Sequence, residues 1–296
     1  MRLGLVGLGR MGGPMARRLV EAGHELIGCD REPAAIDRVR EAGVKAVGDV
    51  AGLVKALPAP RVVWLMLPAG AVTGQVLDEL VGLLAPGDLV IDGGNSDWRE
   101  AGARAARLGA AGVRFLDVGV SGGQWGWRHG YGITVGGTAE DAGQVWPVLR
   151  ALAAPAALAR VGGTGAGHFA KAVHNGVEYG LMQAYAEGFA LLSAHGDIDP
   201  LTVLRVWQAG CAVRSFLLEQ TAEALAADPG LDGVGRRVAD SGMGRWTAEE
   251  AIRLGVATPV LTAALQARFS SRDDVQPANR LLVAARGQIG GHRTHG

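Results

Sequence analysis

Four polar side chains in one stretch could do acid–base chemistry together: Lys171, His174, Asn175 and Glu178. Their spacing is i, i+3, i+4 and i+7, which puts all four on one face of an α-helix. A neutral lysine amine can take a proton from a hydroxyl, and a carboxyl group can deliver one to carbon. Histidine and asparagine can hold hydroxyl or carboxylate oxygens. A solvated, ion-paired helix stripe would show the same spacing. Two features favour chemistry. Phe169, Ala172, Val173, Val177, Leu181 and Met182 fill other positions with apolar groups, as in a buried interdomain helix. Burying Lys, His, Asn and Glu together is costly unless they serve a site. The stretch also follows the glycine-rich run 162–167.

A second chemistry is written near the N-terminus. Gly7, Leu8, Gly9, Arg10, Met11 and Gly12 spell G-x-G-x-x-G after an apolar run and before a helical pattern. In that context the glycines allow a tight turn, close backbone approach to a pyrophosphate and close helix–strand packing. The helix N-terminus then offers N–H groups to the phosphates. Asp30 ends the next apolar run, where a carboxylate accepts hydrogen bonds from the adenosine ribose and repels a 2′-phosphate. NAD is therefore the expected cofactor, with NADP as the alternative because Arg31 could pair with that phosphate. Leu67, Pro68 and Ala69, at another strand end, are expected on the nicotinamide side.

Two further segments place polar side chains among glycines at strand ends: Asp92–Ser96 (DGGNS) and 117–123, DVGVSGG. Either could be an ordinary loop with a capping side chain. The second also spells G-x-S-x-G, the nucleophile elbow of α/β hydrolases. That motif needs a helix straight after the serine, and Gly122-Gly123-Gln124-Trp125-Gly126-Trp127 is a poor helix start.

These residues need elements to position them. Residues 3–6, 25–29, 62–67, 89–91, 113–118 and 159–161 read as short buried strands. Residues 14–21, 33–41 and 139–152 read as helices, with Gly23 and Gly43 as stops. From 168 onward only helices are expected, at 168–195, 200–209, 215–227, 247–254, 259–268 and 277–286. The fold expected is α/β, a Rossmann-like doubly wound sheet over residues 1–162 followed by an all-helical domain over 163–296. At 296 residues the chain suits two domains. Lys plus Arg and Asp plus Glu balance at 29 each, so no broad basic face exists for nucleic acid or membrane. Cys29 and Cys211 match no metal or redox spacing. No signal-peptide or membrane-spanning pattern is visible, so a cytoplasmic protein is expected.

At Asp92–Ser96 (DGGNS), Ser121–Gly123 (SGG), 171–182 (KAVHNGVEYGLM) and 244–247 (GRWT) the chain resembles the 6-phosphogluconate dehydrogenases, and the resemblance covers essentially its whole length. The length is similar to the short members, which carry one helical unit. The related β-hydroxyacid dehydrogenases share the glycine fingerprint, the SGG loop and the lysine, but usually lack the His-Asn…Glu-Tyr continuation. They stand as the alternative, acting on an unphosphorylated hydroxy acid.

The resemblance implies oxidative decarboxylation of 6-phosphogluconate, with Lys171 as general base and Glu178 as general acid. Such a base must be neutral near working pH, which burial and nearby cations can achieve. The resemblance further implies that Asn95, Ser121, Gly122, Gly123, His174 and Asn175 hold the carboxylate and hydroxyls, with Asn95 also near the cofactor. Tyr179 and Arg268 would bind the phosphate. Arg286 and His292 match the family's tail, which reaches a neighbouring subunit's phosphate site, so a homodimer or homotetramer is implied. Long members carry one more lysine before the glycine–tryptophan stretch; the loop Ser241-Gly242-Met243 offers none. No metal is implied.

Overall fold

The apolar runs of the first half pair side by side because their flanking helices cover both faces of what they form. The computed structural model describes residues 1–290. The chain divides into two compact units, Met1–His174 and Asn175–Gly296. The boundary expected at 162/163 lies where the last strand ends.

The first unit alternates β1 (Arg2–Val6), α1 (Gly12–Glu21), β2 (Glu25–Cys29), α2 (Pro33–Glu41), β3 (Lys45–Val47), α3 (Val50–Ala56), β4 (Val62–Leu65), α4 (Ala71–Leu83), β5 (Leu89–Asp92), α5 (Trp98–Ala110) and β6 (Arg114–Ser121). A short helix α6 (Gly126–His129), β7 (Tyr131–Gly136), α7 (Ala139–Leu152) and β8 (Ala153–Gly162) complete it. The eight strands make one sheet in the order β3-β2-β1-β4-β5-β6-β7-β8. Every neighbouring pair is parallel except β6 and β7. The order reverses between β1 and β4, the switch point at whose carboxyl ends ligands bind in open α/β sheets.

Alternation along each strand serves two cores. Leu3, Leu5, Val62, Trp64, Leu89 and Ile91 pack on one face. Val6, Val63, Leu65 and Val90 pack on the other. Helix starts are capped by side chains: Asp49 accepts from Gly52 N at 2.6 Å, and Thr138 accepts from Asp141 N at 3.0 Å.

Two strands escaped the sequence reading. β3 has three residues, one exposed and two half-buried, too few to show a pattern. β7, YGITVG, is interrupted by glycine and threonine. β8 is longer than expected and sits at the sheet edge, with Pro155 exposed, Ala156 at φ 60° and register shifts against β7.

Helix α8 (Ala166–His195) continues into the second unit. There α9 (Pro200–Gly210), α10 (Phe216–Ala227), α11 (Met243–Leu254), α12 (Pro259–Ser270) and α13 (Pro277–Gly290) follow, with no strand among the described residues. Tyr179, Ala248, Ala264 and Leu265 form one small core, and Leu204, Leu218, Ala222 and Leu225 another. No helix of the described residues is long and apolar enough to cross a membrane, and none of their His, Cys, Asp and Glu groups could hold a metal.

Candidate active site

The loop between β1 and α1 carries the fingerprint. A Cβ on Gly12 would lie 1.8 Å from the Gly7 carbonyl oxygen, so only glycine lets α1 begin this close to the strand. A Cβ on Gly9 would meet no protein atom within 4 Å. The backbone at Gly9 is thus bare on its outer side, a cradle that suits a pyrophosphate at the α1 N-terminus. Asp30 holds this loop: Oδ2 accepts from Leu8 N at 2.7 Å, and Oδ1 accepts from Glu32 N at 2.9 Å. A carboxylate has about four acceptor positions, so capacity remains for ribose hydroxyls. Arg10 and Arg31 are exposed and Met11 is half-buried. Beside Gly9 and Arg10, a groove of about 760 Å³ along α1 is rimmed by Arg17, Arg38 and Arg128. These cations raise the local concentration of anions. The residues present therefore fit a nicotinamide dinucleotide.

The next two strand ends touch. A Cβ on Gly94 would lie 2.6 Å from the Leu67 carbonyl oxygen, which brings the 67–70 turn against the 92–96 loop. Pro68 O accepts from Thr73 Oγ1 at 2.8 Å, steadying that turn with Leu67 and Ala69 half-buried in it. Asn95 is exposed while Asp92, Gly93, Gly94 and Ser96 around it are buried. The loop thus presents one amide outward from a fixed base.

The β6 end meets the start of α8. A Cβ on Gly119 would approach Lys171 Cβ to 2.5 Å, and Gly167 O and Thr134 Oγ1 to 2.6 Å each. The helix is seated directly on the strand. Asp117 accepts from Gly165 N at 2.6 Å and from His168 N at 2.8 Å, a buried carboxylate at the helix N-terminus. Thr134 Oγ1 donates to Gly167 O at 3.0 Å. Lys171, planted on this seat, is 8% exposed. Its Nζ lies 3.4 Å from His174 Nδ1, and His174 Nε2 lies 3.3 Å from Ser121 Oγ. Amine, imidazole and hydroxyl therefore form a chain over the SGG loop, where Gly122 and Gly123 follow Ser121. This loop leads through a 3₁₀ turn (Gly123–Trp125) and α6 into β7, which runs antiparallel to β6. A nucleophile elbow would instead pass from strand to a long crossover helix, so the G-x-S-x-G match is coincidental.

In the second unit, Asn175 is buried and Glu178 half-buried on the same stripe of α8. Val173, Val177, Leu181 and Met182 are between 37% and 48% exposed. This reverses part of the expectation: these four apolar positions are open, while Ala172, Lys171 and Asn175 are covered and Phe169 is half-buried. The close packing at Gly119 in the first unit buries Lys171, and apolar periodicity cannot report such a seat. The Arg268 guanidinium lies 3.6 Å from the Tyr179 ring centroid and donates to Ala239 O at 2.8 Å. Tyr179 Oη is 3.4 Å from Ser241 Oγ. Next to Ser241, Asp240 accepts from Arg245 at 2.5 Å and from Gly242 N at 2.9 Å. Burial pushes the Asp240 carboxyl up, but these bonds and Arg272 outweigh it and hold the group below its ordinary value. Tyr179, Ser241 and Arg268 so place two hydroxyls and a guanidinium together, a set that can bind phosphate. Arg286 is exposed on α13. His292 lies outside the described residues.

Thr134 and Arg104 went unnoticed in the sequence, Asp117 was read only as the start of a glycine-rich segment, and His168 only as the start of a helix. The available signal was a charged residue inside an apolar strand: Asp117 interrupts Phe115–Val120, and such a group is retained only with partners.

The comparisons with known proteins place the chain in a family. The family model described as the NAD binding domain of 6-phosphogluconate dehydrogenase matches residues 2–164, and that of the 6-phosphogluconate dehydrogenase C-terminal domain matches residues 167–288. The chain is 40% identical over 295 residues to the NAD(+)-dependent, decarboxylating 6-phosphogluconate dehydrogenase of Haloferax volcanii, covering 99% of this chain and 98% of that one. The 6-phosphogluconate dehydrogenase structure from Plasmodium falciparum superposes with a TM-score of 0.82 at 26% identity, over 98% of this chain and 65% of that one. The 3-hydroxyisobutyrate dehydrogenase structure from Salmonella typhimurium gives 0.78 at 25% identity, over 91% and 93%.

Proposed function

Because this chain belongs to the 6-phosphogluconate dehydrogenase family, we propose that it oxidises and decarboxylates 6-phosphogluconate to ribulose 5-phosphate and CO2. NAD is the favoured acceptor and NADP the alternative. The observation that carries this reading is the buried amine of Lys171, linked through His174 to Ser121 at a strand end.

A bound nicotinamide ring supplies the hydride acceptor. Lys171 takes the proton of the substrate's 3-hydroxyl as C3 is oxidised. The resulting ammonium polarises the new ketone, so that the carboxylate β to it leaves as CO2 and its bonding electrons form the enediol. His174 keeps the amine in place and links it to Ser121, whose hydroxyl, with Gly122, Gly123, Asn95 and Asn175, holds the sugar acid. Glu178, two turns from Lys171 on α8, protonates the enediol carbon that lost CO2. Proton-transfer groups of this kind are each worth roughly 10²–10⁴-fold. Tyr179 and Arg268 take the phosphate, with Arg286 and His292 from a neighbouring copy in a homodimer or homotetramer.

The NAD preference rests on Asp30, whose carboxylate repels a 2′-phosphate, and is supported by the Haloferax relative's NAD(+) dependence. With this substrate the reading includes gluconate use and the pentose phosphate pathway, carried out in the cytoplasm.

The test is formation of NADH and CO2 from 6-phosphogluconate by the purified protein. Lys171→Met should lower turnover by about 10³-fold or more while NADH binding stays within about twofold. Substantial turnover by that variant would refute Lys171 as the base. The 3-hydroxyisobutyrate dehydrogenase, covered over 93% of its length, favours a second reading: a β-hydroxyacid dehydrogenase for an unphosphorylated acid. Arg268→Ala decides between them. A raised KM for 6-phosphogluconate supports the first, and an unchanged KM with equal use of unphosphorylated acids supports the second.

A further inference from the structure

His168 lies three residues before Lys171 on α8 and is 1% exposed. Its Nε2 is 3.0 Å from the Asp92 carbonyl oxygen. A carbonyl oxygen only accepts, so Nε2 carries the hydrogen and donates. The other ring nitrogen, Nδ1, is buried with no hydrogen-bond partner among the described residues. An apolar side chain here would avoid that desolvation cost, so the imidazole is kept despite a local penalty.

Its bond spans two parts of the first unit. On one side, Asp92 begins the loop that presents Asn95, and its carboxylate is fixed by Gly94 N at 3.1 Å and by Arg104 at 2.7 Å. On the other, the His168 backbone N–H donates to Asp117 on β6, one turn from Lys171. One residue thus ties the β5 loop, the β6 strand and the first turns of α8.

We propose that His168 is a positioning residue for the oxidation step. It holds the Asn95 loop and the Lys171 turn at a fixed separation, so that both meet the same substrate. This rests on the roles given above to Lys171 and Asn95. Lys171 and His168 share a helix, so a slip of the Asp92 contact moves the base relative to the loop. Misplacement by about 1 Å can cost on the order of 10²-fold in rate.

The experiment compares His168→Leu, His168→Gln and His168→Asn in the full chain. Glutamine can still bring an N–H to the Asp92 carbonyl; asparagine is too short, and leucine has no donor. The expected result is kcat for 6-phosphogluconate reduced by about 10–100-fold in the Leu and Asn variants, with NADH affinity within about twofold, and substantial recovery in the Gln variant. Should the Leu variant fail to fold, the Gln and Asn pair carries the comparison. Equal kcat in Gln and Asn, or an unchanged kcat in Leu, overturns the proposal. Hydrogen exchange separates it from the wider reading. If the unmodified protein does not use 6-phosphogluconate, the assigned reaction fails. The tie then stands if the amides of residues 92–96 exchange faster in the Asn variant than in the Gln variant, and falls if they exchange alike.

Discussion

Both oxygens of Asp30 accept a backbone N–H, one from the glycine loop and one from the turn after β2. The residue expected to select the cofactor therefore also shapes the loop that cradles it. Asp30→Ala should affect both. Hydrogen bonds to a charged acceptor contribute about 1.5–3 kcal/mol when buried, and less here because the group is half-exposed. The expected outcome is kcat/KM for NAD lower by about tenfold, with a smaller NAD-to-NADP ratio, read from steady-state rates with each cofactor. An unchanged ratio would remove Asp30 from cofactor choice. The glycine fingerprint and Asp30 were legible in the sequence because their signal is local: a strand, a turn, a helix start and one acid at a set distance. Asp117 and His168 were not, since their meaning comes from partners 48 to 76 residues away. Cys29 needs no functional account, because burial pushes its thiol up to about 12 and keeps it protonated.

Helix α8 was readable as one long helix, and the polar stripe along it was read residue by residue. Its seat was not, because the seat depends on what glycine omits. Gly119, Gly136 and Gly167 each leave the space into which another backbone or side chain fits. Gly119→Ala tests this directly. The new methyl would start 2.5 Å from Lys171 Cβ and 2.6 Å from Gly167 O, and a backbone oxygen cannot swing aside. Overpacking of this kind costs about 1–3 kcal/mol. Urea unfolding should show that loss, and kcat should fall further than the loss of folded protein explains, because Lys171 moves with the helix. Full activity in a stable Gly119→Ala protein would mean that the seat does not set the position of the amine. β3 and β7 were missed for a different reason. Three residues carry no periodicity, and glycine and threonine blurred the alternation of β7.

At the scale of the molecule, the doubly wound sheet and the following helices were legible from alternation alone, because parallel strands covered on both faces must be apolar throughout. What alternation could not report was where the sheet stops. β3 closes one side with three residues, and β8 closes the other with ten. Such a border strand has a row of unpaired amides facing outward, which invites another chain to dock. β8 carries its own deterrent: Pro155 lacks an N–H, and Ala156 turns the backbone at φ 60° where the pairing with β7 slips. Restoring a regular rim with Pro155→Val should leave turnover intact but raise light scattering on storage, increasingly with concentration. The kink in β8 then reads as a guard on solubility, a service to the crowded solution around the enzyme rather than to its chemistry.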